Sequence, residues 1–262
     1  MSDHSQHHKG QPLTFERAKE LIYGELGDVY RGTLGRCCAP IYWYQRRGTT
    51  AEILGNGTVT LVHTPKRLMA ITAAHVVRRY EEAHSAAMWP MQLQLMNAAL
   101  NMDVIDISDD LDLATLVIDD KLLSRIGKDV EPLSAWPPRV PQEGRGILLA
   151  GYPGVDRLQP RPMEVNWGLF PVLGVAWRVS EDEITWVAEQ DADIKTDLPL
   201  EHPLYGISGG PVIGLFESAS HLVRPVLSGI IIKVHQELEK VIARPAKFIS
   251  EDGSIINPRR GP

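Results

Sequence analysis

Three short segments of this 262-residue chain hold residue types that together can break an acyl bond. Ile71-Thr72-Ala73-Ala74-His75-Val76-Val77 runs from a β-rich stretch through small residues into a histidine. Asp112-Leu113-Ala114-Thr115-Leu116 puts an acid at the head of an apolar run. Gly206-Ile207-Ser208-Gly209-Gly210-Pro211 sets a serine in a glycine-rich turn ahead of another apolar run. A serine hydroxyl is a weak nucleophile at neutral pH and needs a base beside it. An imidazole, with an ordinary pKa of about 6.5, can take that proton and return it to the leaving group. A carboxylate behind the imidazole fixes its tautomer and stabilises the imidazolium that forms. Glycines around the serine take conformations barred to other residues and let N–H groups approach an oxyanion. One such donor is worth roughly 2.7–4 kcal/mol of barrier. Taken singly, each segment also fits a duller role: a core histidine, a strand-end acid, an ordinary turn. Their occurrence together, in these contexts, favours the chemistry.

The elements that must position these groups are mostly strands. Residues 41–44, 58–62 and 68–72 are short β-branched or aromatic runs broken by Gly and Pro, which is strand and turn chemistry. Further strands are expected at 92–95, 112–118, 146–150, 171–179, 183–189, 210–215 and 226–234. Such spacing suits a barrel or sandwich rather than βαβ units. Residues 14–30 read as a helix, with Phe15, Ala18, Leu21, Ile22 and Val29 on one face and Thr14 as its cap. Residues 235–243 also read as helical, and the last dozen residues are expected to fray. The stiff stretch Trp136-Pro137-Pro138-Arg139-Val140-Pro141 divides the strands into two comparable groups. The expected organisation is an N-terminal extension (1–50), a first β unit with His75 and Asp112 (51–135), a second with Ser208 (142–245) and a tail (246–262). Gly206-Ile207-Ser208-Gly209-Gly210 also satisfies G-x-S-x-G, the nucleophile elbow of α/β-hydrolases. That fold needs an acid and then a histidine after the serine. Here Asp252 follows both His221 and His235, and only Glu217 precedes them, so the fit is poor.

The three segments resemble the signature motifs of the chymotrypsin-like (trypsin-like) serine proteases, T-A-A-H, D-[IL]-A-L and G-x-S-G-G-P. Gly151-Tyr152-Pro153-Gly154 is similar to a turn of bacterial members. The resemblance covers roughly residues 50–235. It implies an all-β fold of two six-stranded antiparallel β-barrels, here with an N-terminal and a C-terminal helix, and peptide hydrolysis through an acyl-enzyme in the cleft between them. By motif position His75 is the base, Asp112 the orienting acid and Ser208 the nucleophile, with the backbone N–H groups of Gly206 and Ser208 as the oxyanion hole. Asp103, Asp106, Asp109 and Asp110 read as solvated loop acids. The resemblance places the substrate pocket between Leu198–Tyr205 and Val226–Lys233, drawing on His202, Ser228, Gly229 and Ile230. His202 either favours an acidic side chain or is an ordinary loop residue. The chain departs from the family pattern in three ways, one being the roughly 50 residues ahead of the first barrel, whose 14–30 helix either packs on the barrel surface or docks a partner or gates the site. Ile207 stands where secreted members have an Asp that pairs with an amine released by zymogen cleavage, so activation by that route is not expected. Val76 stands where many have Cys.

Composition narrows the partners. A net charge of −6 gives no basic surface for nucleic acid. No apolar run approaches the ~20 residues of a membrane span. The adjacent Cys37 and Cys38 read as free thiols in a reducing, cytoplasmic compartment. No metal-ligand spacing and no phosphate-binding glycine loop occurs, so no metal or cofactor is expected. The expected partner is a protein or peptide substrate, with a regulatory protein partner for the N-terminal extension. An esterase on the same triad, or a catalytically silent protease-like binding or scaffold module, is the alternative.

Overall fold

The computed structural model describes residues 11–24, 27–130, 136–161, 164–187, 203–235 and 240–258. In chain order they form β1 (Gln11–Pro12), α1 (Phe15–Tyr23), α2 (Gly27–Cys37), β2 (Cys38–Arg47), β3 (Thr50–His63), β4 (Leu68–Thr72), α3 (Ala74–Ala86), β5 (Met91–Leu95), β6 (Ala98–Ala99), β7 (Val104–Ser108), β8 (Leu113–Val117), α4 (Asp120–Ile126), β9 (Gly146–Gly151), β10 (Arg157–Arg161), β11 (Glu164–Trp167), β12 (Phe170–Val179), β13 (Ile184–Val187), β14 (Pro211–Glu217), β15 (Val223–His235) and β16 (Lys240–Pro245). The molecule is mostly β.

The strands after the Pro-rich stretch close on themselves. β14, β15, β16, β13, β12 and β9 form a six-stranded antiparallel barrel, with β14 pairing back onto β9 (Val212 opposite Leu149). Period-2 patterning explains its two faces. Ile147, Leu149, Val212, Ile231, Val241 and Ala243 fill the interior with Trp186. Their strand neighbours Leu148, Ala150, Ile213 and Ile230 belong to a larger core shared with the helices and the other sheet. That second face is why β9 is buried along its whole length, as a covered strand must be. The earlier strands form a seven-stranded antiparallel sheet in the order β6-β5-β2-β3-β4-β8-β7. Among the described residues its end strands β6 and β7 do not pair, so one closed barrel is seen where two six-stranded ones are expected.

Four further expectations change. The helix expected over 14–30 is two helices, α1 and α2, because the chain turns at Gly24, whose N–H caps Glu20 O at 3.0 Å. Thr14 does cap α1, accepting from Arg17 N. The first sheet begins at Cys38, ahead of the boundary expected at residue 51, since β2 pairs with β3 along its length. In the stretch read as helical, 236–239 lie outside the described residues and Lys240–Pro245 is strand β16, paired on both sides. The C-terminal helix is thus replaced by β16 and a single 3₁₀ turn, Ala246–Phe248. The segment after it does not fray as far as Pro258. Thr64 Oγ1 donates to Glu251 O, Thr115 Oγ1 to Gly253 O at 2.6 Å and Ile255 N to Asp106 Oδ2 at 2.7 Å, tying it to the first sheet. Every strand pairing among the described residues is antiparallel, which removes the parallel sheet an α/β-hydrolase elbow requires. Among them, no helix is long and apolar enough to cross a membrane.

Candidate active site

His75 sits in the first turn of α3, and Ala73 at the N-cap has no side-chain acceptor for that turn's free N–H groups. Asp112 supplies one from a distance: its Oδ1 accepts the His75 backbone N–H at 2.9 Å. The same carboxylate receives the ring, with Nδ1 2.8 Å from Oδ2 and 3.1 Å from Oδ1. A carboxylate can only accept, so Nδ1 carries a proton, and in the neutral ring Nε2 is the nitrogen with the lone pair. One acid therefore caps a helix and sets a tautomer.

Asp112 is itself held in an uncommon conformation, φ +53°, at the end of a turn closed by Asp112 N on Asp109 O. Side chains from three directions fix that turn. Arg244 Nε of β16 donates to Leu111 O at 2.8 Å, Asn257 Nδ2 to Asp110 Oδ2 at 3.1 Å, and Arg78 grips Asp109 through Nε and Nη2, both at 3.0 Å. Asp109 and Asp110 are exposed, as expected of loop acids, but they and the half-buried Asp106 also accept hydrogen bonds that shape this region. The reason lies in the returning C-terminal segment and in α3, which bring their partners from remote sequence.

The serine turn is built on two glycines that no other residue can replace without strain. Gly206 has φ +104°, and a Cβ there would lie 2.1 Å from Asn56 Nδ2. Gly209 has φ +93°, with Thr58 O only 1.8 Å from its would-be Cβ. Between them Ile207 is 2% exposed and drops into the barrel interior, an apolar anchor where an ion pair was ruled out from sequence. β15 holds the far side, through Gly209 N on Ile231 O at 2.7 Å and Ile231 N on Gly210 O at 2.8 Å. β3 holds the near side. Thr58 N donates to Ser208 O at 2.8 Å, Thr58 Oγ1 to Gly206 O at 2.9 Å and Thr60 Oγ1 to Gly209 O at 2.9 Å. Among the described residues, the N–H groups of Gly206 and Ser208 have no acceptor. Buried or half-buried amides are rarely left so.

His75, Asp112, Gly206 and Ser208 line one cleft of about 630 Å³ between the first sheet and the barrel. Its apolar wall includes Trp43, Leu54, Leu204 and Val234. Arg79 and Lys233 also line it. Among the described residues, Ser208 Oγ makes no hydrogen bond. The expected pocket residues fare differently. Ser228 is fully buried, its Oγ accepting from Gly214 N at 3.0 Å and facing Val226 O at 3.3 Å. Gly229 and Ile230 are spent in pairing with β14 and β16. None of the three lines the cleft, whereas Ile232, Lys233 and Val234 do. A register shift between Ile231 and Lys233 bulges β15 at Ile232, so the strand turns toward the cleft later than the motif implies. His202 lies outside the described residues.

Sequence reading missed the residues behind the turn. Tyr152 N donates to Thr58 Oγ1 at 3.0 Å, and Asn56 Nδ2 to Tyr152 O at 3.3 Å. The Tyr152 phenol reaches inward, where it meets Lys128 Nζ at 2.9 Å. Burial pushes this phenol well above its ordinary range and pulls the lysine below its own. The only sequence signal was the Gly151–Gly154 turn itself.

No protein-family model matches the chain, and no curated protein matches its sequence. Its function is therefore read from this geometry.

Proposed function

We propose that the protein is a serine endopeptidase of the chymotrypsin-like type, acting through an acyl-enzyme. The observation that carries this reading is the His75 ring, bonded through Nδ1 to Asp112 in the cleft that Ser208 lines. In the first half-reaction Ser208 Oγ adds to the substrate carbonyl carbon and its proton passes to His75 Nε2. The oxyanion forms against the N–H groups of Gly206 and Ser208. The C–N bond breaks as His75 returns the proton to the leaving amine. Water then repeats the sequence on the ester, its proton again taken by His75 and given back to Ser208 Oγ. Asp112 stays ionised and stabilises the imidazolium in both halves.

The cleft-side edge of β15 supports a peptide substrate over a small ester. Among the described residues this strand pairs with β14 as far as Ile230 and with the serine turn at Ile231, no strand pairs with Ile232–Val234 on that side, and these three residues border the cleft. An extended peptide can add there as a further strand. The double-barrel architecture belongs to the same proposal, with the seven-stranded sheet as counterpart of the closed barrel. So does a reducing, cytoplasmic site of action, supported by two buried free thiols, Cys37 and Cys38. A regulatory partner for the N-terminal helices is not included, because Ala18, Ile22, Tyr30 and Leu34 bury their apolar faces in the shared core.

One observation favours the alternative of a silent binding module: Ser208 Oγ has no hydrogen bond to His75 among the described residues. Apo sites often carry such loose contacts, which tighten only with substrate. Cleavage-site profiling of a proteome, wild type against Ser208→Ala, separates the two. New peptide termini that depend on Ser208 are expected; identical termini from both proteins would leave the binding module as the reading.

A further inference from the structure

We infer that Thr58 is a positioning residue that holds the oxyanion hole assembled in the intact chain, so that no cleavage is needed to build it. The inference rests on the endopeptidase reading and names how that site is regulated. In a planar trans peptide the C=O and the next N–H point in opposite directions. Fixing a carbonyl therefore aims the following amide. The amide of Ser208 is aimed by Ile207 O, which accepts from Gly210 N at 2.9 Å. The amide of Gly206 is aimed by Tyr205 O, which accepts from Gly154 N at 2.7 Å. Gly154 belongs to the turn that begins at Tyr152, and that turn is tied to β3 by Tyr152 N on Thr58 Oγ1.

The Thr58 hydroxyl thus does two things at once. It accepts from the turn that aims the Gly206 amide, and it donates to Gly206 O, fixing the Gly206–Ile207 peptide that lies between the two amides. Its backbone completes the clamp, with N–H on Ser208 O and C=O receiving Thr72 Oγ1 at 2.8 Å. Thr58 is fully buried, and its hydroxyl has a partner for both its proton and a lone pair. A flip of the Tyr205–Gly206 peptide would break the Gly154 N bond to Tyr205 O and point that carbonyl where the anion should sit, and Thr58 opposes it through its hold on the Tyr152 turn. In place of an ion pair to a newly released amine, the turn has the buried Ile207 side chain on one side and the Thr58 hydroxyl on the other. Both are present from the moment the chain folds.

The test uses the full-length protein, its mass verified as uncut, with Thr58→Val, Thr58→Ser and Asn56→Ala. Labelling by a fluorophosphonate, hydrolysis of a peptide found by the profiling above, and inhibition by the corresponding peptide aldehyde are measured. Uncut wild type is expected to react with the probe. Thr58→Val is expected to lose about 10²-fold in kcat with KM little changed, as for a reacting group misplaced by about 1 Å. Aldehyde affinity should weaken in parallel, because the aldehyde adduct uses the same two amides. Thr58→Ser should restore both. Wild-type kcat and aldehyde affinity in folded Thr58→Val, or reactivity that appears only after the chain is cut, would overturn the inference. If Thr58→Val does not fold, Asn56→Ala decides, since it frees Tyr152 O on the same turn; a several-fold loss in kcat supports the clamp and none overturns it. Absence of labelling in wild type would instead remove the hydrolase reading. Amide exchange over residues 204–210 still decides the clamp then: faster exchange in Asn56→Ala or Thr58→Val supports it, unchanged exchange overturns it.

Discussion

At the scale of single residues, Asp112 has the heaviest duty. It accepts from the ring and from the backbone of His75 while holding φ +53°. Asp112→Asn keeps the size but offers an N–H₂ where the ring N–H now points, so the imidazole must turn or change tautomer. A loss of roughly 10⁴ in kcat is expected, with the fold retained, measured on a peptide substrate alongside a thermal midpoint. His75, Asp112 and Ser208 were legible because each sits in a short local motif. Thr58 and Asn56 were not, since Thr58 meets Gly206 across a separation of 148 residues and no local pattern marks it. Ser228 was misread for a related reason: position in a motif does not say on which side of a bulge a strand meets the cleft.

At the scale of elements, the site depends on two struts from the closed barrel. Ile207 fills the interior beneath the serine turn. Ile207→Ala should leave a cavity costing about 2–5 kcal/mol, read from urea unfolding, and should loosen the turn enough to slow acylation. Arg244 reaches from β16 to Leu111 O, next to Asp112, and is 7% exposed. Arg244→Met strips a buried carbonyl of its donor. A stability loss of about 1–3 kcal/mol is expected, together with a lower kcat, because the Asp112 turn is no longer tied to the barrel. Most strands were visible as β-branched runs between turn residues. β16 was not, because it follows good helix formers in the sequence, Glu237 through Glu239 among them, and Lys240–Pro245 is held as a strand by pairing on both sides, which local preference does not report. The closing of one sheet and the returning C-terminal segment depend on contacts between remote strands, which periodicity does not report.

At the scale of the whole molecule, α1 and α2 seal the two β units into one shared core, and Cys37 and Cys38 lie at the end of that seal. Burial pushes the Cys38 thiol from its ordinary 9.0 up to about 12, with the Cys37 thiol raised as well. The sign follows: between those values the unfolded chain has lost the proton and the folded one keeps it. Stability should therefore be unaffected by Cys38 below pH 9 and fall as pH rises from 9 toward 12, by up to about 1.4 kcal/mol per pH unit for one group. Urea midpoints at a series of alkaline pH values check this, and Cys38→Ala should flatten the slope. The central claim, that His75 activates Ser208 across the cleft, is tested most directly by intact-mass and peptide-map analysis after exposure to a fluorophosphonate. One adduct is expected, on Ser208, lost in Ser208→Ala and strongly reduced in His75→Ala. An adduct formed equally without His75, or carried by another residue, would contradict it.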